Sequence, residues 1–159
     1  MHIKSFVNVA WVFTFIGFFA ALIFSYAMLS ERVAILANAN GIGDEFVAKE
    51  TFFYVALGLF AVFNMLSFIF LRVLTGMPVS SSLYAQNKLF KERFTAWVGS
   101  FISAINVCLI CAVAYILLFN TQEYGRIASF NYLMYIGPAF LLISLVWLFM
   151  VLNRRKQLA

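Results

Sequence analysis

Four membrane-spanning helices packed as one small all-α bundle are what this sequence predicts, and three observations carry the prediction. Four apolar runs, Phe6–Leu29, Thr51–Val73, Phe94–Phe119 and Leu133–Leu152, stand out along the chain. Each has about the 20 residues a helix needs to cross a hydrocarbon core of roughly 30 Å. No Asp, Glu, Lys or Arg interrupts them except Arg72, at a run's end where its long side chain reaches the interface. Hydrophobic residues make up 65% of the 159 and charged ones 11%, with a mean hydropathy of +0.97. A soluble domain is nearer half apolar and about a quarter charged. The runs lack the every-second-residue alternation of a transmembrane β-strand. Residues 1–159 are expected to form a single membrane domain.

The first run is read as a retained helix. Its apolar core is longer than the about 7–15 residues of a signal-peptide core, and no clear A-x-A site follows it. The next segment, Leu29–Phe53, carries Glu31, Asp44, Glu45 and Glu50, four of the chain's six acidic residues. Asn40-Gly41 is a turn signal, because both residues tolerate positive φ. With Val33, Ile35, Phe46 and Val47 as short extended pieces beside it, the segment predicts a small hairpin.

Gly76 and Pro78 end the second helix. Beyond them, Leu83, Phe90 and Phe94 share a face while Lys88, Lys91 and Arg93 stay wet. Such a segment suits the cytoplasmic lipid surface, and equally suits a basic linker that only satisfies topology. In the third run Ala96, Ser100, Ala104, Cys108 and Ala112 recur every four residues. That smooth ridge is expected to face the other helices, since small residues let helices approach closely in lipid. Gly137-Pro138 is expected to kink or locally open the fourth helix.

Orientation follows from the basic residues. Lys4, Arg72, Lys88, Lys91, Arg93, Arg154, Arg155 and Lys156 fall at the termini and in the middle loop, against Arg32, Lys49 and Arg126 in the other two loops. Eight against three places both termini and the middle loop in the cytoplasm and the acidic segment outside. The expected location is a bacterial inner membrane. Net charge is +5. The same topological bias accounts for it, so no nucleic-acid partner is implied.

Leu29, Val33, Asn38, Gly41 and Asp44, followed by Lys49, resemble an outer-loop pattern of a bacterial membrane domain. That domain begins SdpI-type immunity and signalling proteins. Its pattern runs Leu-Pro-x-x-Val-Pro-x-His-x-Asn-x-x-Gly-x-x-Asp, then Lys. Here Ser30 and Ala34 stand at the prolines and Leu36 at the histidine, which removes any role of that side chain. The resemblance covers about residues 6–75 and implies an immunity or signalling role.

Catalytic chemistry finds little material. His2 is the single histidine, so a His-centred triad or a two-His metal site has no second component. Asn38, Asn40, Asp44 and Glu45 offer oxygens, but their spacing is not that of a calcium loop. Cys108 and Cys111 form C-x-x-C inside an apolar run, where a thiol lacks the positive, partly exposed surroundings that make it reactive. No buried ionisable residue marks an ion pathway, which disfavours a transporter. Asn64, Ser67, Ser103, Asn106 and Ser144 are neutral groups suited to hydrogen bonds between helices.

These readings lead to a non-enzymatic membrane protein without cofactor or metal. Its partners are expected to be the lipid bilayer and another membrane protein or complex, with the chain as an accessory or assembly subunit. The alternatives are an SdpI-like immunity or signalling protein and, after it, a small transporter. Partner contacts are assigned to Asn38, Asn40, Gly41, Asp44 and Lys49 outside and to Lys88, Lys91 and Arg93 inside.

Overall fold

The computed structural model describes residues 2–37, 43–84, 87–121 and 132–157, with side chains left aside at 2–4, 37 and 154–157. Along the chain run α1 (His2–Met28), β1 (Arg32–Ala37), β2 (Gly43–Ala48), α2 (Lys49–Gly76), α3 (Lys88–Thr121) and α4 (Tyr132–Gln157). All four helices are long and apolar enough to cross a membrane. The chain is therefore a small four-helix membrane bundle carrying a two-stranded sheet.

Local chemistry sets the helix ends. Met77 leaves α2 in an extended conformation, φ −63° and ψ 138°, as expected of a residue before proline. Its N–H donates to the Val73 carbonyl at 3.1 Å, the last bond of that helix. Asn87 caps α3: its Oδ1 accepts the Phe90 N–H at 2.9 Å and so satisfies one of the orphan donors of the first turn. With 34 residues, α3 is roughly 50 Å long at 1.5 Å per residue. It outreaches a hydrocarbon core of about 30 Å, so the Lys88–Arg93 segment is the helix's own first turns.

The α3 helix is the hub, packed extensively on both α1 and α4 and more lightly on α2, while α1 and α2 touch each other only lightly. Its small residues permit this. Ala96, Gly99, Ser103 and Ala104 are buried, and the four-residue ridge faces the bundle as far as Cys108 before Ala112 emerges into the lipid. Opposite Cys108 stands Gly137 of α4, where an added Cβ would lie 2.8 Å from the Cys108 Cα. Only glycine allows that backbone-to-backbone approach. The Trp97 indole adds a bond across the same interface, donating to the Ser144 carbonyl at 2.7 Å. The α4 helix runs on as one element through Pro138, its seventh residue.

Because lipid is as apolar as leucine, these helices are held by dispersion and internal hydrogen bonds rather than by escape from water. The largest apolar cluster, toward the hairpin, gathers Phe18, Leu22, Leu29, Val33, Phe52, Phe60 and Val113. In it the Phe18 and Phe60 rings stack in parallel with centroids 4.0 Å apart. Mid-bundle, a polar knot joins three helices. Asn64 Nδ2 donates to Asn106 Oδ1 at 2.9 Å, and Asn106 Nδ2 donates back to Asn64 Oδ1 at 3.3 Å. Trp11 Nε1 donates to Asn64 Oδ1, and Asn106 Nδ2 to Thr14 Oγ1.

The segment between α2 and α3 departs from the expected lipid-surface strip. Tyr84 is fully buried, and Phe90 is buried beside it with Val151 of α4, with Leu83, Phe94 and Trp147 packed around. Leu83, Phe90 and Phe94 do share a face, but that face is pressed on protein. The Tyr84 hydroxyl donates to the Leu74 carbonyl at 2.6 Å, and this bond folds the loop back under α2.

Candidate functional site

The two strands of the predicted hairpin are present, while its Asn40-Gly41 turn lies outside the described residues. β1 and β2 pair antiparallel, with Arg32 opposite Ala48, Val33 opposite Val47 and Ala34 opposite Phe46. An isolated two-stranded hairpin is marginal in water, so what mounts this one matters. Val33 and Val47 point into the bundle, and Val33 is wholly buried between Leu29, Phe52 and Val113. On the outer edge of β1, Asn120 from the last turn of α3 acts as a surrogate strand. Its Oδ1 accepts the Ala34 N–H at 2.8 Å, and its Nδ2 donates to the Ala34 carbonyl at 3.0 Å. The same Nδ2 also donates to the Ile116 carbonyl at 2.8 Å, which fixes the rotamer.

At the base, Lys49 is held three ways. Its N–H donates to the Glu31 carbonyl at 3.0 Å, extending the ladder by one pair. Its ammonium lies 3.6 Å from Glu31 Oε1 and 4.8 Å from the centre of the Tyr26 ring. The Glu31 side chain is 83% exposed, so water screens the ion pair and its worth is under about 1 kcal/mol. The contact orients Lys49 more than it stabilises the fold.

Beyond Ala34 the register slips and recovers. Leu36 lies opposite Glu45 and Ala37 opposite Gly43. Ile35 on β1 and Asp44 on β2 are thus each skipped by the pairing. Bulges of this kind bend a strand and re-aim the skipped side chain. Here they turn Ile35 and Asp44 outward. Ile35, Leu36 and Phe46 are exposed, with Asp44 and Glu45 alongside. Gly43 permits the compact form: a Cβ there would meet the Ala34 Cβ at 2.8 Å and the Phe46 ring at 3.1 Å. What results is a fixed outer surface of three apolar side chains bordered by two carboxylates.

No family model, curated protein or solved structure matches this chain. Function has to be read from geometry alone.

The sequence-predicted partner residues divide into two groups at opposite ends of α2, which at 28 residues separates them by roughly 40 Å. At the hairpin end, Asp44 is exposed and presented by its bulge, and Lys49 is half-buried and engaged by Glu31 and Tyr26. Asn38, Asn40 and Gly41 lie outside the described residues. At the other end, Lys88 is exposed and Arg93 half-buried. Lys91 reaches back across the loop, its ammonium donating to the carbonyls of Thr75, at 2.9 Å, and Met77. It satisfies the open C-terminal carbonyls of α2 and complements the negative end of the helix dipole. Its ammonium also lies 5.5 Å from the centre of the Tyr84 ring. Lys49 and Lys91 thus each make contacts within the chain.

Asn120, Ile35, Leu36 and Phe46 complete the surface. Ile35 and Phe46 were legible as strand residues, whereas Asn120 gave no signal beyond being the first polar residue after the third run. Among the described residues, no three of His, Cys, Asp and Glu come together as a metal site. Burial raises the Tyr84 phenol above its ordinary value of 10.0.

Proposed function

We propose that this chain is a non-enzymatic accessory or assembly subunit of a bacterial inner membrane, and that the hairpin is where it binds its partner protein. The observation that supports the reading is the mounted hairpin itself. The buried Val33 with the half-buried Val47, the Asn120 clamp and Lys49 immobilise a small sheet whose outward side chains are Ile35, Leu36, Phe46, Asp44 and Glu45. A surface ordered before binding loses little entropy when a partner docks. Apolar residues within a polar border are the usual make-up of such a contact.

The basic-residue bias puts the hairpin outside and both termini in the cytoplasm. A cysteine at Asp44 should then react with an impermeant thiol reagent on intact cells, and one at Asn87 should not, in a background lacking Cys108 and Cys111. Affinity purification after mild solubilisation, with native mass measurement, tests the binding role. The expected result is at least one other polypeptide in fixed ratio, lost when Phe46→Ser and Asp44→Lys are combined. A lone monomer or pure homo-oligomer in several mild detergents would contradict it.

An immunity or signalling role is the second reading, supported by the order Leu29, Val33, Asn38, Gly41, Asp44 and Lys49. It predicts that expression protects sensitive cells from an externally acting toxin.

A further inference from the structure

Toward the end of the bundle that carries the chain termini, α1 and α2 part and leave a lateral groove of about 340 Å³ between them, floored by Gly99 and Ile102 of α3. Val12 and Phe68 form its sides, and both are exposed. At the inner end Trp11 and Asn64 close it, their polar atoms already bonded to each other. Asn8, toward the helix ends, is exposed and lines the opening. Arg72 is exposed on α2 one turn beyond Phe68, on nearly the same face.

The dimensions decide what fits. A helix about 10 Å across fills roughly 80 Å³ per Å of its length, so the groove would take in about 4 Å, less than one turn. A partner's transmembrane helix is too thick. A flexible hydrocarbon chain is not, and the order of residues matches an amphiphile: apolar walls at depth, then an amide and a guanidinium at the interface. A cation placed there favours a negatively charged headgroup. We infer that the groove between α1 and α2 holds one acyl chain of an anionic phospholipid whose headgroup meets Asn8 and Arg72. The site is independent of the hairpin and stands or fails without it.

Trp11 reports on the site directly. The chain has three tryptophans, and Trp97→Phe with Trp147→Phe leaves Trp11 alone in the groove. This protein would be reconstituted in phosphatidylcholine vesicles containing rising fractions of brominated-chain phosphatidylglycerol or brominated-chain phosphatidylcholine. Quenching by the anionic lipid should saturate at a mole fraction about fivefold lower, the ratio one basic residue contributes at an anionic lipid surface. Arg72→Gln should remove that preference, and Val12→Phe, which fills the groove, should remove saturation. Native mass spectrometry of the wild-type chain gives a reading free of tryptophan replacement. It should retain one phosphatidylglycerol in preference to phosphatidylcholine, and the Val12→Phe variant should not. Identical quenching by both lipids, protection of Trp11 from both, or release of all lipid from the wild type would each overturn the assignment.

Discussion

Asn64 on α2 and Asn106 on α3 hydrogen-bond each other in both directions, amide to amide, in the middle of the bundle. Trp11 and Thr14 of α1 join the pair, and Asn64 Nδ2 also donates to the Phe60 carbonyl of its own helix at 3.0 Å, so three helices share one knot. In lipid there is no water to take over a broken bond. Asn106→Leu should therefore cost about 1–2 kcal/mol in reversible unfolding from mixed micelles. Asn64→Leu should cost a similar amount, and the double variant clearly less than the sum, because each single change already strands the other amide. Strictly additive losses would show that the knot is not a unit.

The Asn120 clamp makes a local prediction. Asn120→Leu leaves the Ala34 N–H and carbonyl without partners at a buried edge, a penalty of roughly 1–3 kcal/mol. Hydrogen exchange at Ala34 should accelerate about fivefold or more for that loss, while the amides in the middle of α1 stay as they were. Asn120→Asp keeps the acceptor and loses the donor, and should fall between. Unchanged exchange at Ala34 would show that the hairpin is held by its valines alone.

Two glycines should behave oppositely. At Gly137 an added Cβ meets the Cys108 backbone at 2.8 Å, whereas at Gly58 it meets nothing within 4 Å. Gly137→Val should destabilise by about 1–3 kcal/mol through overpacking. Gly58→Ala should be neutral or stabilising by up to about 1 kcal/mol, the helix-propensity difference. Thermal melting in detergent reads both, and equal losses would be inconsistent with the α3–α4 contact.

Tyr84 gives a pH dependence. Burial raises its phenol above the unfolded value of 10.0. In that range the folded chain holds the proton more tightly than the unfolded one, so this contribution is complete below pH 10.0 and is lost as pH rises through the folded pKa. Wild-type melting temperature should fall more steeply above that pH than that of Tyr84→Phe. The variant starts lower because the bond to the Leu74 carbonyl is gone. Parallel alkaline profiles would contradict the assignment.

Much of the architecture was legible because hydropathy reports directly what lipid accepts. The four runs each lie within one helix apart from Leu29, just past α1, and Val33, Ile35, Phe46 and Val47 lie in the two strands as the hairpin reading expected. The helices nevertheless extend past the runs at most ends. Lys49, Lys88 and Lys91 are helical residues, since helical hydrogen bonding does not stop where polarity begins. Asn64 and Asn106 could be recognised as interhelical donors, but not as each other's partner, because 42 residues separate them. The contacts of Lys49 with Glu31 and Tyr26, and of Lys91 with the Thr75 and Met77 carbonyls, gave no sequence signal, because a lysine at a helix end reads the same whether it reaches water or a group of its own chain. Asn120 was illegible for a related reason: its role depends on the hairpin folding back over the end of α3, a contact across 86 residues.

Site-specific photocrosslinking in the native membrane tests the central claim most directly. A photoreactive residue would be placed at Phe46 on the hairpin and, as a control, at Ile143 on the exposed face of α4. The account predicts one discrete adduct with another polypeptide from Phe46, weakened by Asp44→Lys and absent from Ile143. Absence of any protein adduct from Phe46, Ile35 and Asp44, with the chain correctly folded in the membrane, would contradict it.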